Sequence, residues 1–241
     1  MSALNATPAS PVFAERPVEP LVVDAYRFGA PLLLVSAVLG ILGFAGSALV
    51  FLSLALFVGS FFRNPDRLIP GDEGTVVSPA DGRVIEVGEI EDAQGQKVLR
   101  IAIFLSVFNV HVNRMPIAGT VVAVERGGDA YLAAFNRAAE TRNVRCSLVM
   151  EGRDGLRFSV TQITGLIARR IVCHPRVGDF VRRGDRYGLI RFGSRTDVLL
   201  PLSAEVRVGV GDRVRGGSSV LAQLSLTPLE VAASSPSGNA A

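Results

Sequence analysis

Three short segments combine residue types that could carry out catalysis. They are residues 78–82 (SPADG), 104–116 (FLSVFNVHVNRMP) and 190–197 (IRFGSRTD). In the last segment Gly193 precedes Ser194, and a serine hydroxyl can attack the carbonyl of the preceding residue through a five-membered ring. A glycine at that carbonyl leaves no side chain in the way. This chemistry would turn the amide into an ester, and it needs a strained loop and a nearby base.

The ester between Gly193 and Ser194 could break further. Removal of the serine α-proton would expel the Gly193 carboxylate and leave dehydroalanine, which hydrolyses to ammonia and a pyruvoyl group. A new chain would then begin at residue 194. By spacing alone, a Gly-Ser pair is most often an ordinary turn between strands, because both residues are common in such connections. The other segments must therefore decide between the two interpretations.

Two titratable residues in these segments could assist. His111 lies among alternating apolar residues, and an imidazole can accept a hydroxyl proton near neutral pH. A single histidine in such a strand is more often simply packed or hydrogen-bonded. Asp81 precedes a glycine in a turn, where an aspartate most often bonds nearby backbone amides. The second histidine, His174, stands in a Cys-His-Pro sequence and is interpreted as structural.

Composition excludes several other chemistries. Lys97 is the only lysine, and its setting predicts an exposed hairpin tip, which disfavours pyridoxal phosphate, biotin and lipoate, all of which need a lysine. Cys146 and Cys173 have no metal-ligand spacing, so neither a metal site nor a disulfide is predicted. The basic residues are almost all arginines, which suit phosphate headgroups. Because aromatic and basic residues do not alternate, no nucleic-acid partner is expected.

The N-terminal part of the chain predicts a membrane anchor. Residues 28–62 contain no charge, a run longer than the roughly 20 residues that cross a bilayer as helix. Glycines in its middle favour a helical hairpin over one long helix. With Arg27 before the run and Arg63 after it, both ends would lie at the cytoplasmic face of the cell membrane. The alternative is a buried hairpin in the core of a soluble protein.

Beyond residue 70, short β-branched runs separated by Gly and Asp turns predict antiparallel strands. A helical interruption is expected at residues 131–139. Two weak repeats, residues 81–87 with 118–124 and residues 177–184 with 210–217, resemble the duplicated half-motifs of compact lipoyl-like β-sandwiches. We therefore expect a mainly β (α+β) fold with a lipoyl-like β-sandwich core and an N-terminal apolar helical hairpin.

These patterns divide the chain into four parts. The predicted order is a disordered tail (1–20), a membrane-associated helical segment (21–69), a catalytic β-rich domain (70–226) and a second disordered tail (227–241).

The three segments, taken with residues 61–65 (FFRNP), resemble the short bacterial phosphatidylserine decarboxylase proenzymes over roughly residues 20 to 225. The resemblance implies self-cleavage between Gly193 and Ser194 into chains 1–193 and 194–241. It implies a covalent pyruvoyl cofactor derived from Ser194 and conversion of phosphatidylserine to phosphatidylethanolamine and carbon dioxide. The two fragments would form a heterodimer, and a higher homo-oligomer is left open.

The resemblance also implies roles for individual residues. Asp81, His111 and Ser194 would form the charge-relay group that drives self-cleavage. Many relatives have a second histidine three residues after the first, where this chain has Arg114. Either His111 therefore serves both processing and decarboxylation, or Asp81 acts more directly.

Arginines are the candidates to bind the lipid phosphate, because guanidinium binds phosphate bidentately. Arg114 is the preferred residue, ahead of Arg195 and Arg63. Two rival functions remain at this point. One is a non-catalytic, membrane-tethered lipoyl-like accessory domain, and the other is a pyruvoyl decarboxylase of a different serine-headed lipid or of a soluble amino acid.

Overall fold

A computed structural model describes residues 23–92, 94–134, 136, 138–166, 170–190 and 193–225. The predicted tails at 1–20 and 227–241 lie outside the described residues. The helices are α1 (Val23–Ile41), α2 (Ala45–Phe61) and α3 (Ala139–Arg142), with a 3-10 turn at Arg153–Gly155. The strands are β1 (Thr75–Val77), β2 (Gly82–Glu91), β3 (Lys97–Leu105), β4 (Val112–Arg114), β5 (Gly119–Gly127), β6 (Arg145–Glu151), β7 (Arg157–Ile163), β8 (Ile171–Cys173), β9 (Phe180–Val181), β10 (Arg186–Ile190), β11 (Ser194–Leu200), β12 (Glu205–Val206), β13 (Arg213–Val214) and β14 (Val220–Gln223).

The apolar N-terminal segment forms an antiparallel pair of helices. The Ser36 hydroxyl of α1 donates a hydrogen bond to the Ala48 carbonyl of α2 at 2.8 Å, and the two helices turn at Gly43, whose φ is +84°. Most of their apolar side chains are exposed. By length and composition α1 could cross a membrane, whereas α2 has only 17 residues. The predicted helical hairpin is therefore confirmed.

The rest of the described chain is mainly β. A curled sheet has the strand order β13-β2-β3-β11-β7-β6-β5-β9, and two three-stranded sheets have the orders β1-β14-β12 and β4-β10-β8. All the strand pairs are antiparallel. Apolar side chains from all three sheets form one core, because Ile101 and Leu148 pack with Leu221 and Tyr187. This confirms a mainly β fold with an apolar helix pair.

The weak sequence repeat has a structural counterpart. In each copy a strand begins at a glycine and pairs with a two-residue strand that follows a Gly-Asp turn: β2 with β13, and β5 with β9. The backbone hydrogen bonds also match, since Val84 exchanges bonds with Gly211 and Asp212 as Val121 does with Gly178 and Asp179. The two turn glycines have φ values of +100° and +94°, which only glycine adopts readily.

The helix predicted at residues 131–139 is misplaced. The helix found there, α3, begins only at Ala139 and has four residues. The segment before it is extended because Asn143 hydrogen-bonds to both the amide and the carbonyl of Leu132, at 2.7 and 2.8 Å. A buried side-chain amide has satisfied the backbone groups that a helix would have used.

Two connections between sheets set the position of the site. After β3 the chain leaves the large sheet and enters β4 in a small sheet, and after β10 it returns from that small sheet to β11. Since β3 pairs with β11 and β4 pairs with β10, the two connections begin and end beside each other. Residues 106–111 form the first connection, and residues 191–193 form the second.

A cluster of buried charges fixes β11 on the large sheet. Arg195 donates two hydrogen bonds to Asp197 at 2.6 and 2.7 Å, and their side chains are only 2% and 5% exposed. Arg100 of β3 bridges Glu86 and Glu140 beside them. Burial raises the pKa of Asp197, while its hydrogen bonds from Arg195 lower it. The paired guanidinium keeps this buried carboxylate ionised.

Removal of one charge from this cluster should be costly. We expect Asp197→Asn to lower the free energy of unfolding by about 3 kcal/mol, because it leaves buried arginine charge uncompensated. Urea denaturation in detergent micelles would measure the change. Glu205→Gln is the matched control, since its ion pair with Arg207 is more than half exposed and should contribute less than about 0.5 kcal/mol. Equal effects of the two substitutions would contradict this assignment.

Candidate active site

Ser194 is the first residue of β11 and lies opposite Leu105 of β3. It is fully buried, and its hydroxyl has no hydrogen-bond partner among the described residues. Gly193, directly before it, has a φ of +56°, in the left-handed region that favours glycine. A buried hydroxyl without a partner is rare in a folded protein and is often found where a side chain has chemical work to do.

The Gly193 carbonyl group lies against Gly165. Because Arg195 pairs with Ile163, the antiparallel register continues to place Gly193 opposite Gly165. A side chain on Gly165 would bring its Cβ to within 2.0 Å of the Gly193 oxygen. Only a glycine at position 165 therefore lets this carbonyl group occupy its observed position.

His111 lies at the end of the first connection, immediately before β4. Its Nδ1 atom is 2.8 Å from the Asn109 carbonyl oxygen. Since a carbonyl only accepts, Nδ1 carries the proton and Nε2 has the lone pair. Nε2 is buried and has no partner in the described part of the chain. Burial lowers the pKa of His111 to about 4, the Asn109 bond opposes this, and the nearby Arg63 lowers the pKa further. The imidazole is therefore neutral at pH 7.

The strand pairing brings His111 and Ser194 into the same region. The amide of Ile190 donates a hydrogen bond to the His111 carbonyl at 3.3 Å. Ile190 is four residues before Ser194, a distance that the chain can span by at most about 14 Å. No hydrogen bond joins the two side chains within the described ranges.

Asp81 lies on the other side of β3. The backbone at Gly82 packs closely on the Phe104 carbonyl, whereas Ser194 pairs with the other edge of the same strand. One Asp81 oxygen contacts Arg67 at 2.8 Å, and the other accepts a hydrogen bond from the Gly216 amide at 2.7 Å. The described structure thus gives Asp81 partners other than His111, and its part in a charge relay stays a prediction.

The three arginines proposed for phosphate binding differ in their surroundings. Arg114 is buried, and its guanidinium donates hydrogen bonds to the carbonyls of Gly184 and Pro65 at 3.0 and 2.9 Å. Arg195 belongs to the buried charge cluster. Arg63 lies at the end of α2 and donates to the Phe108 carbonyl at 2.9 Å. Of the three, Arg63 has the side chain nearest to the surface of the apolar helices.

Two residues of the site carried no chemical signal in the sequence. Phe61 packs its ring on the His111 imidazole with 4.0 Å between ring centroids, and Gly165 makes room for the Gly193 carbonyl. Neither contact follows from a local pattern, because each joins residues far apart in the chain. Within the described ranges, no group of three His, Cys, Asp or Glu side chains could hold a metal ion.

Comparison with known proteins agrees with this site. The family model for phosphatidylserine decarboxylase matches residues 54–222. Phosphatidylserine decarboxylase proenzymes of Geotalea uraniireducens and Geobacter sulfurreducens are 45% and 44% identical to this chain, over 84% of its length and 95% of theirs. The proenzyme of Oleidesulfovibrio alaskensis is 48% identical over 76% of this chain and 84% of its own. The resemblance inferred from the short segments is confirmed: the chain belongs to the phosphatidylserine decarboxylase family and is a decarboxylase.

Proposed function

We propose that the chain cuts itself between Gly193 and Ser194 and then converts phosphatidylserine to phosphatidylethanolamine and carbon dioxide, using a pyruvoyl group derived from Ser194. The observation that carries this proposal is the Ser194 hydroxyl, which is buried without a described partner directly after a left-handed glycine. The relatives that share the sequence are named proenzymes, which fits a chain that must be processed.

A pyruvoyl group at position 194 suits the surroundings of that residue. The strand that would carry it, β11, keeps its pairing with β3 and β7 from Arg195 onward, and this pairing does not depend on the bond at Gly193. The burial of residue 194 would exclude water from the reacting atoms. When formed, the group supplies an electron-withdrawing carbonyl that accepts the electrons released as carbon dioxide departs.

In self-cleavage, the neutral His111 is suited to act as a base. Its Nε2 lone pair would accept the proton of the Ser194 hydroxyl while the oxygen bonds to the Gly193 carbonyl carbon and the C–N bond breaks. Loss of the Ser194 α-proton then forms the Cα–Cβ double bond and releases the Gly193 carboxylate. Because the pKa of His111 is about 4, its protonated form would be short-lived and would pass the proton on.

The two resulting chains, 1–193 and 194–241, would remain together as a heterodimer. The strand that begins the small chain, β11, lies between β3 and β7 of the large chain. The buried pair of Arg195 and Asp197 belongs to the small chain, and it contacts Glu86 and Glu140 of the large chain. The charge cluster therefore acts across the cleavage point.

The helical hairpin would place this site at the cytoplasmic face of the cell membrane. The antiparallel helices bring Arg27 and Arg63 to the same end of the hairpin, as the positive-inside rule favours. Phe108, near the start of the first connection, is 74% exposed, and its ring lies 6.4 Å from that of Phe57 in α2. A two-chain lipid could then stay in the bilayer while its headgroup reaches the site.

For the lipid phosphate, we favour Arg63 over Arg114. The guanidinium of Arg114 already donates hydrogen bonds to two carbonyls of its own chain, whereas Arg63 is partly exposed beside the hairpin. Substitution of a phosphate ligand should raise KM for the lipid more than it lowers kcat. Arg63→Gln should show this pattern in the assay described next, and an unchanged KM would exclude the role.

Carbon dioxide release in detergent micelles tests the proposed reaction. Wild-type protein should decarboxylate phosphatidylserine far faster than free serine, because only the lipid is concentrated at the hairpin. Ser194→Ala and His111→Gln should release none, since they lack the pyruvoyl precursor and the base. His174→Gln and Ser203→Ala are the matched controls, because both side chains are exposed. Equal turnover of serine and lipid, or turnover by Ser194→Ala, would refute the proposal.

The position of the Gly193 carbonyl predicts a second effect. We expect Gly165→Ala to slow self-cleavage by about 100-fold, because the added methyl group displaces the carbonyl that Ser194 attacks. The fraction of intact chain on a denaturing gel, followed over time after synthesis, would measure the rate. Gly88→Ala is the control, since a Cβ there meets no atom within 4 Å. Cleavage of folded Gly165→Ala at the wild-type rate would show that the contact is irrelevant.

A further inference from the structure

The last residue of the apolar hairpin lies directly on the candidate catalytic imidazole. The ring of Phe61 is 4.0 Å from the ring of His111, centroid to centroid, with 31° between their planes. Phe61 is only 2% exposed and His111 is equally buried. An aromatic ring at this distance covers one face of the imidazole and keeps water away from it.

The imidazole is held in two independent ways. The Asn109 carbonyl accepts the hydrogen bond from Nδ1 and so fixes the tautomer and one edge of the ring. The Phe61 ring restricts rotation about the remaining side-chain bonds, because the imidazole cannot turn without colliding with it. Together they leave the Nε2 lone pair with one direction.

The hairpin also holds the connection that carries His111. Arg63 donates to the Phe108 carbonyl at 2.9 Å, and Phe57 packs edge-on against the Phe108 ring. With Phe61 on His111, the end of α2 therefore contacts residues 106–111 at three points. A shift of this helix would move the imidazole.

We propose that Phe61 is a positioning residue for His111, so that the second apolar helix itself sets the orientation and the dryness of the catalytic imidazole. The inference rests on the proposed function only in taking His111 as the catalytic group. Phe61 itself acts through His111.

The charges around the imidazole are compatible with this role. Arg63 is the charged group that acts on His111 among the described residues, and it lowers the pKa of the ring, as burial does more strongly. The carbonyl of Asn109 has the opposite effect. Removal of the Phe61 ring admits water, which relieves the desolvation and leaves the other two effects in place. The pKa of His111 should then rise towards the ordinary value of about 6.5.

Histidine NMR tests the proposal directly, because the chain has only two histidines. The full-length protein would be labelled with ¹³C at histidine Cε1 and titrated in detergent micelles, with His174→Asn used to assign the signals. The wild-type His111 signal should not titrate between about pH 8 and 5.5. In Phe61→Leu, a midpoint at least about one pH unit above the wild-type value is expected. The ¹⁵N shifts of its ring should also indicate a mixture of tautomers.

Phe62→Leu is the matched control. Phe62 is as deeply buried as Phe61 and lies next to it, but in the described part of the chain its ring packs on Phe28 and Phe61. It should leave the His111 titration unchanged. If Phe61→Leu does not fold, Phe61→Met keeps an apolar side chain of similar volume without the ring and should also raise the midpoint.

Two outcomes would overturn the proposal. One is a His111 signal that titrates in the folded Phe61 variants as it does in wild type, and the other is an equal shift in Phe62→Leu. A matching readout comes from turnover, since the acid limb of the pH profile of kcat/KM should move upward with the NMR midpoint in the Phe61 variants. The NMR titration needs no turnover. Failure of wild-type protein to decarboxylate the lipid would therefore refute the proposed function separately from this inference.

Discussion

The geometry of the site depends on one feature, the pairing of β11 with β3. This pairing places Ser194 opposite Leu105, and the companion pairing of β10 with β4 places Ile190 against His111. The two connections that join these strands must then run between the same two sheets. Residues that are more than eighty positions apart in the sequence meet there because backbone hydrogen bonds on both sides fix where each connection begins and ends.

The same pairing explains how the chain tolerates an expensive site. The Ser194 hydroxyl and the His111 Nε2 atom are buried without described partners, and each such group costs free energy. Strand β11 compensates for this cost, since its apolar residues lie in the core and Arg195 and Asp197 lie in the buried charge cluster. Stability is concentrated just after the bond that is proposed to break, which would keep residue 194 in place when the chain is cut.

The sequence predicted the broad features well, and its failures have a common cause. The helical hairpin, the β-rich domain and the repeated Gly-Asp turns all follow from local patterns. The helix expected at residues 131–139 was misplaced because a hydrogen-bonding side chain further along the chain, Asn143, holds Leu132 extended. Arg195 looked suited to phosphate, but a partner two residues away and the strands around it bury its charge. The role of Gly165 depends on strand register, which no local pattern specifies.

The intact masses of the purified wild-type protein test the central claim most directly. Self-cleavage at Gly193 predicts two polypeptides, of which the smaller begins at residue 194, resists Edman degradation and has the mass expected for a pyruvoyl group in place of the serine. Recovery of an active protein as a single uncut chain would contradict the account.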